Sequence, residues 1–157
     1  MNVIETSEGL GGMLRGLAEV TRDSKKVIFV GTAGFCTPFA ELAAYAMRKN
    51  PAELGFIVKD DVDGAKAIIP TDYGMQIGKS IDYHADTVVL LGGLSMSKIG
   101  IDIEAANELL ANIFEDSDRN LLIGLCFQST FDVRGWTDKL KFDYLFDADM
   151  SVSMKEK

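Results

Sequence analysis

Four short apolar runs punctuate the chain, and each ends at a glycine or a polar turn. They are Val27-Ile28-Phe29-Val30 after Lys25-Lys26, Phe56-Ile57-Val58, Thr87 to Leu91, and Leu121 to Phe127. A run with no polar face suits a strand buried on both sides, hence a parallel sheet. Between the runs the period changes to that of a helix. After the first run, Thr37 stands at a natural N-cap with Pro38 at the first helical position. Phe39, Leu42, Ala43, Ala46 and Met47 then fall on one face, Glu41 suits the dipole near the helix start, and Asn50-Pro51 ends the helix. Asp102 caps a second helix whose Ile103, Ala106, Leu110, Ile113 and Phe114 share a face. At the head of the chain, Leu10, Met13, Leu14, Leu17 and Val20 predict a helix over 7–21 capped by Ser7. Its Gly9, Gly11, Gly12 and Gly16 each cost about 0.5–1 kcal/mol relative to Ala, so packing must hold it.

Two stretches have a different texture. Residues 60–85 are punctuated by Pro70 and Gly74 and predict only short strands, at Lys66 to Ile69 and Met75 to Ile77. From Phe142 to Val152 apolar residues alternate with polar ones except at Leu145, the pattern of a half-buried strand at a sheet edge. Strands alternating with helices predict an α/β domain over 1–157: a three-layer α/β/α sandwich with a mostly parallel, Rossmann-like or flavodoxin-like sheet and a half-buried C-terminal edge strand. Ligands of such sheets bind beyond the carboxyl ends of the strands. The loops expected to gather there are Gly31 to Thr37, Gly92 to Ile101 and Phe127 to Trp136.

Composition narrows the classes. With 157 residues and 47% hydrophobic content the chain can build its own core, which excludes disordered and collagen-like classes. A net charge of −8 argues against a general nucleic-acid binder. No apolar run approaches the ~20 residues of a membrane span, and Glu5 stands where a signal peptide carries positive charge. The expected place is the cytoplasm, where two cysteines remain thiols.

Candidate chemistry is sparse. The Gly31-Thr32-Ala33-Gly34-Phe35-Cys36-Thr37-Pro38 loop leads into a helix N-terminus, a setting suited to anions. It matches neither phosphate fingerprint: Ala33 replaces the second glycine of G-x-G-x-x-G, and no Walker lysine is present. Cys36 is the candidate nucleophile, since a helix start favours thiolate, but the chain has a single histidine, His84, to serve as base. Gly92-Gly93-Leu94-Ser95-Met96-Ser97-Lys98 offers close backbone approach, two hydroxyls and one ammonium. Gly124-Leu125-Cys126-Phe127-Gln128 lacks the second glycine of a nucleophile elbow, so Cys126 reads as core, with a redox pair to Cys36 as the other reading. The acidic turn Asp60-Asp61-Val62-Asp63-Gly64 fails the calcium-loop pattern at Lys59 and Pro70, and no zinc or iron–sulfur spacing exists. The expected ligand site is therefore Gly31, Thr32, Gly34, Cys36, Thr37, Gly92, Gly93, Ser95 and Lys98, with no metal.

Taken together, Val27 to Leu42, Tyr73 to Gly78 and Asp86 to Leu94 resemble a small archaeal family known mainly from methanogens, a domain of unknown function. The resemblance spans nearly the whole chain. It implies a compact α/β domain in an archaeal cytoplasm, and it carries over no activity, cofactor or catalytic residue. The residues themselves point to a protein that binds a small anionic or phosphate-bearing ligand. The alternatives are a thiol enzyme using Cys36, and a homodimer or complex subunit pairing through the C-terminal edge strand or the Met- and Gly-rich first helix.

Overall fold

Every apolar run of the sequence becomes a strand of one seven-stranded sheet. The computed structural model describes residues 1–157. Its elements are α1 (Gly9–Val20), β1 (Lys26–Gly31), α2 (Thr37–Ala46), β2 (Glu53–Val58), β3 (Lys66–Thr71), β4 (Gly74–Ser80), β5 (Thr87–Leu91), α3 (Ile103–Ile113), β6 (Leu121–Phe127), α4 (Thr130–Val133) and β7 (Tyr144–Ala148). Short 3₁₀ turns cover Val62–Gly64 and Gly92–Ser95.

The strand order is β4-β3-β2-β1-β5-β6-β7. Strands β2, β1, β5, β6 and β7 run parallel, while β3 and β4 form an antiparallel hairpin on the β2 edge. Counted among the parallel strands alone, the order is 2-1-3-4-5, that of the flavodoxin-like doubly wound sheet. Strand periodicity sends alternate residues to opposite faces. Val27, Phe29, Val89, Leu91 and Ile123 pack beneath α1 and α2, whereas Ile28, Val30, Val88, Leu90 and Leu122 pack beneath α3 and α4. This two-sided burial is why Val27 to Val30 of β1 and Val88 to Leu91 of β5 carry no polar position to mark a face.

The helices obey the expected pattern with local departures. Asp102 caps α3 as expected, its Oδ1 accepting from the Ala105 amide at 2.8 Å. Thr37 is not the N-cap of α2. The chain already turns at Cys36, which occupies that position in a right-handed helical conformation, and the Thr37 hydroxyl accepts from the Gly34 amide instead. The inward face of α2 is Ala40, Ala43, Ala44 and Met47, with Leu42 38% exposed. Glu41 leaves the dipole and accepts from the Ile77 amide at 3.0 Å, covering a free amide of edge strand β4. In α1, Glu8 rather than Ser7 stands at the N-cap, without a side-chain bond.

The packing that holds α1 is also visible. A Cβ on Gly16 would lie 2.7 Å from the Phe146 ring of β7, so the glycine lets the helix sit on the edge strand. Gly12, Met13 and Leu17 of α1 are thus buried within their own chain, while Gly9 and Gly11 are exposed. Strand β7 is half-buried and lies at the edge as expected, but it ends at Ala148, and Met150 and Val152 beyond it are exposed.

Candidate functional site

Strands β1 and β5 lie side by side and parallel, yet the chain leaves them on opposite faces, toward α2 and toward α3. That divergence is the topological switch point of the sheet, where a crevice opens at the carboxyl ends. The residues after β1 and those after β5 meet there.

The contact is made possible by missing side chains. A Cβ on Gly31 would stand 2.4 Å from Cys36 Cβ, and one on Gly93 would stand 2.6 Å from Cys36 Sγ. Cys36 is 2% exposed and lies 3.3 Å from the hydroxyl of Thr32, itself buried. Gly31, Thr32, Cys36 and Gly93 therefore form one packed unit that fills the inner part of the crevice. Ser95 is buried and spends its hydroxyl on the Gly92 carbonyl at 2.9 Å. Gly92 sits against β6, where a Cβ would lie 2.7 Å from Cys126 Cβ.

The outer part is a shelf. Gly34 has φ +74 with open space about it, Phe35 is 57% exposed, and the amides of Thr37 and Phe39 make no backbone hydrogen bond. Lys98, in the turn after β5, is exposed and has no acidic partner. Free amides at a helix start suit an anion, and the loop after β5, which meets the loop after β1 at Gly93, carries one ammonium, that of Lys98.

The thiols have fixed surroundings. His84 precedes β5 whereas Cys36 follows β1, so the two lie at opposite ends of a parallel pair, one strand length or about 17–20 Å apart. His84 instead bonds Asp82 at 2.7 Å and holds that carboxyl below its ordinary value, with burial opposing and Lys26 adding to the effect. Cys36 packs on the α1–α2 side of the sheet and Cys126 on the α3 side, which corrects the reading of a redox pair. Burial, reinforced by the Asp147 carboxylate and opposed by backbone amides, pushes the Cys126 thiol up to about 12.

One part of this end of the sheet was invisible in the sequence. Gln128 and Ser129 are both left-handed, at φ +55 and +51. Asp147 of β7 holds this turn, accepting from the Ser129 amide at 2.9 Å and from its hydroxyl at 2.8 Å. No turn residue such as Gly or Asn announces the conformation, and the partner acid lies 18 residues away.

A family model described as an uncharacterized protein conserved in archaea (DUF2124) matches residues 8–151. The chain belongs to that family. It is 37% identical over 157 residues to an uncharacterized protein of Methanocaldococcus jannaschii, covering 98% of this chain and 94% of the relative. It is 36% identical over 150 residues to an uncharacterized protein of Methanothermobacter thermautotrophicus, covering 96% and 95%. A crystal structure of a protein of unknown function from Methanothermobacter thermautotrophicus superposes with a TM-score of 0.93 at 34% identity, covering 100% of this chain and 99% of that one. The family thus has methanogen members, and its fold is the α/β sheet described above. No helix of this chain is long and apolar enough to cross a membrane.

Proposed function

We propose that the chain binds a small anionic, phosphate-bearing ligand on the shelf at the carboxyl ends of β1 and β5. The observation that carries this reading is the meeting of the Gly31–Thr37 and Gly92–Ile101 loops at the switch point. The Thr37 and Phe39 amides are free at the start of α2, and the loop after β5 bears Lys98. At a net charge of −8, long-range attraction of an anion is unfavourable, so affinity comes from short contacts. Two hollows of about 500 and 330 Å³ lie elsewhere on the protein. Cys36 is enclosed and has no histidine base, which favours binding over thiol catalysis.

A thermal-shift panel of nucleotides and phosphorylated cofactors tests the reading. At least one compound should stabilise the protein, by about 2.7 kcal/mol at a hundredfold excess over its dissociation constant. Lys98→Ala should abolish that gain. So should Thr37→Glu, whose carboxylate suits a helix start but repels an anion. Gly34→Val is a poor probe, because φ +74 strains any β-branched residue. A panel without a stabiliser, or one indifferent to both changes, overturns the proposal.

A further inference from the structure

Strand β6 ends at Phe127, and the chain then makes a turn that two successive side chains oppose. Gln128 and Ser129 have φ +55 and +51, the region in which a Cβ crowds the following carbonyl. A relaxed alternative lies close by. Right-handed values at both residues would lengthen the four-residue α4, which begins at Thr130. The turn is left-handed because groups outside it hold it there.

Those groups belong to β7 and the residues just past it. Asp147 accepts from the Ser129 amide with Oδ1 and from the Ser129 hydroxyl with Oδ2, at 2.9 and 2.8 Å. The Gln128 amide donates to the Ala148 carbonyl at 3.1 Å, and its side-chain amide to the Met150 carbonyl at 3.4 Å. Held in this way, the turn places the start of α4 over Cys126. That thiol is 1% exposed and donates to Asp147 Oδ1 at 3.5 Å, while the amides of Phe131 and Thr130 bond its sulfur. Helix α4 packs in turn on the Gly92–Ser95 segment, where Phe131 and Leu94 are both fully buried.

We propose that the Gln128–Ser129 turn is a latch with two positions, which the Asp147 carboxylate holds shut over Cys126. Shut, the turn ties edge strand β7 to the start of α4, and through α4 to the loop after β5. Open, Gln128 and Ser129 become right-handed, join α4 at its start, and give up their bonds to β7. Each position satisfies what the other leaves strained: the shut one pairs the Gln128 and Ser129 amides, and the open one relieves the crowding at both Cβ atoms. Cys126 becomes accessible in the open position, so its reactivity reports the state of the latch. The latch needs no ligand and stands apart from the anion site.

The rate of alkylation of Cys126 by N-ethylmaleimide tests the proposal, in a Cys36→Ala chain where Cys126 is the single thiol. Gln128→Gly and Gln128→Val both lose the bond to the Met150 carbonyl, so the contrast between them reports backbone conformation. Glycine favours the shut position and valine opposes it, so Gln128→Gly should react at least about fivefold more slowly than Gln128→Val. Asp147→Ala should speed the reaction about tenfold by removing both bonds to Ser129. Adding Gln128→Gly to Asp147→Ala should slow it again. All rates should stay nearly constant in urea below the unfolding transition, because a two-residue turn exposes little surface. If Asp147→Ala does not fold, the two Gln128 variants decide, since that side chain is exposed. Equal rates in Gln128→Gly and Gln128→Val, a folded Asp147→Ala that reacts no faster than its parent, or rates that climb in urea with the full m-value of unfolding would each overturn the proposal.

Discussion

Gly93→Ala should destabilise the protein, and Cys36→Ala should relieve much of that loss. The added methyl would stand 2.6 Å from Cys36 Sγ, 2.9 Å from Phe35 Cδ1 and 3.2 Å from Thr32 Oγ1. Phe35 is 57% exposed and can swing away, whereas Thr32 and Cys36 are 3% and 2% exposed and cannot. Overpacking of this kind costs about 1–3 kcal/mol. Removing Sγ leaves a small void worth about 0.5–1.5 kcal/mol, the range for losing one buried methyl-sized group. Because the methyl can occupy that void, the double variant should be more stable than the sum of the single losses by about 0.5–3 kcal/mol. Gly31→Ala supplies the control, since its methyl would meet Cys36 Cβ at 2.4 Å, an atom that alanine retains. Cys36→Ala should therefore not rescue Gly31→Ala to the same degree. Urea midpoints at constant m-value measure all of these losses. If Gly93→Ala and Cys36→Ala add to within about 0.5 kcal/mol, the loops after β1 and β5 are not packed as one unit.

Three other outcomes follow from the core, a cap and a thiol. Leu90→Ala and Ile123→Ala each truncate a fully buried side chain in a central strand and should cost about 2–5 kcal/mol by chemical denaturation; a loss below about 1 kcal/mol at both would contradict their placement. Asp102→Ala should cost about 0.5–2 kcal/mol by thermal or urea unfolding, whereas Asp102→Asn should retain most of the cap. The raised Cys126 pKa stabilises the fold fully below the unfolded thiol value of ~8.5, and this contribution is lost as pH climbs toward about 12. Between pH 9 and 11 the wild-type chain should therefore lose up to about 1.4 kcal/mol per pH unit more than Cys126→Ala, and parallel stability curves would refute it.

What the sequence revealed, and what it hid, follows from the range of the interactions. Thr87 to Leu91 and Leu121 to Phe127 match β5 and β6 residue for residue, because burial on both faces leaves an unbroken apolar run. Asp102 was legible because capping is local, its acceptor and donor three residues apart. Thr37 misled for the same reason: the residue type suits a cap, but the preceding turn had already brought Cys36 into helical conformation. The β3–β4 hairpin was hard to read because much of it is exposed and β4 is an edge, so neither period dominates. Of the site, the loops and their glycines were legible, whereas the enclosure of Cys36 by Gly31 and Gly93 joins residues up to 62 positions apart, from Gly31 to Gly93. The separation of Cys36 from His84 likewise depends on which end of a strand each one occupies, and that follows only from the parallel pairing of β1 and β5.

The binding claim meets its most direct test in amide hydrogen exchange, run with and without the phosphorylated compound that most raises the melting temperature. Bound ligand should slow exchange at the amides of residues 34–37, Phe39 and residues 96–99. It should leave the groove lined by Asn107, Leu110 and Lys139 unchanged. Protection confined to that groove or to any other region, or no compound that stabilises the chain at all, would contradict a ligand site at the switch point of the sheet.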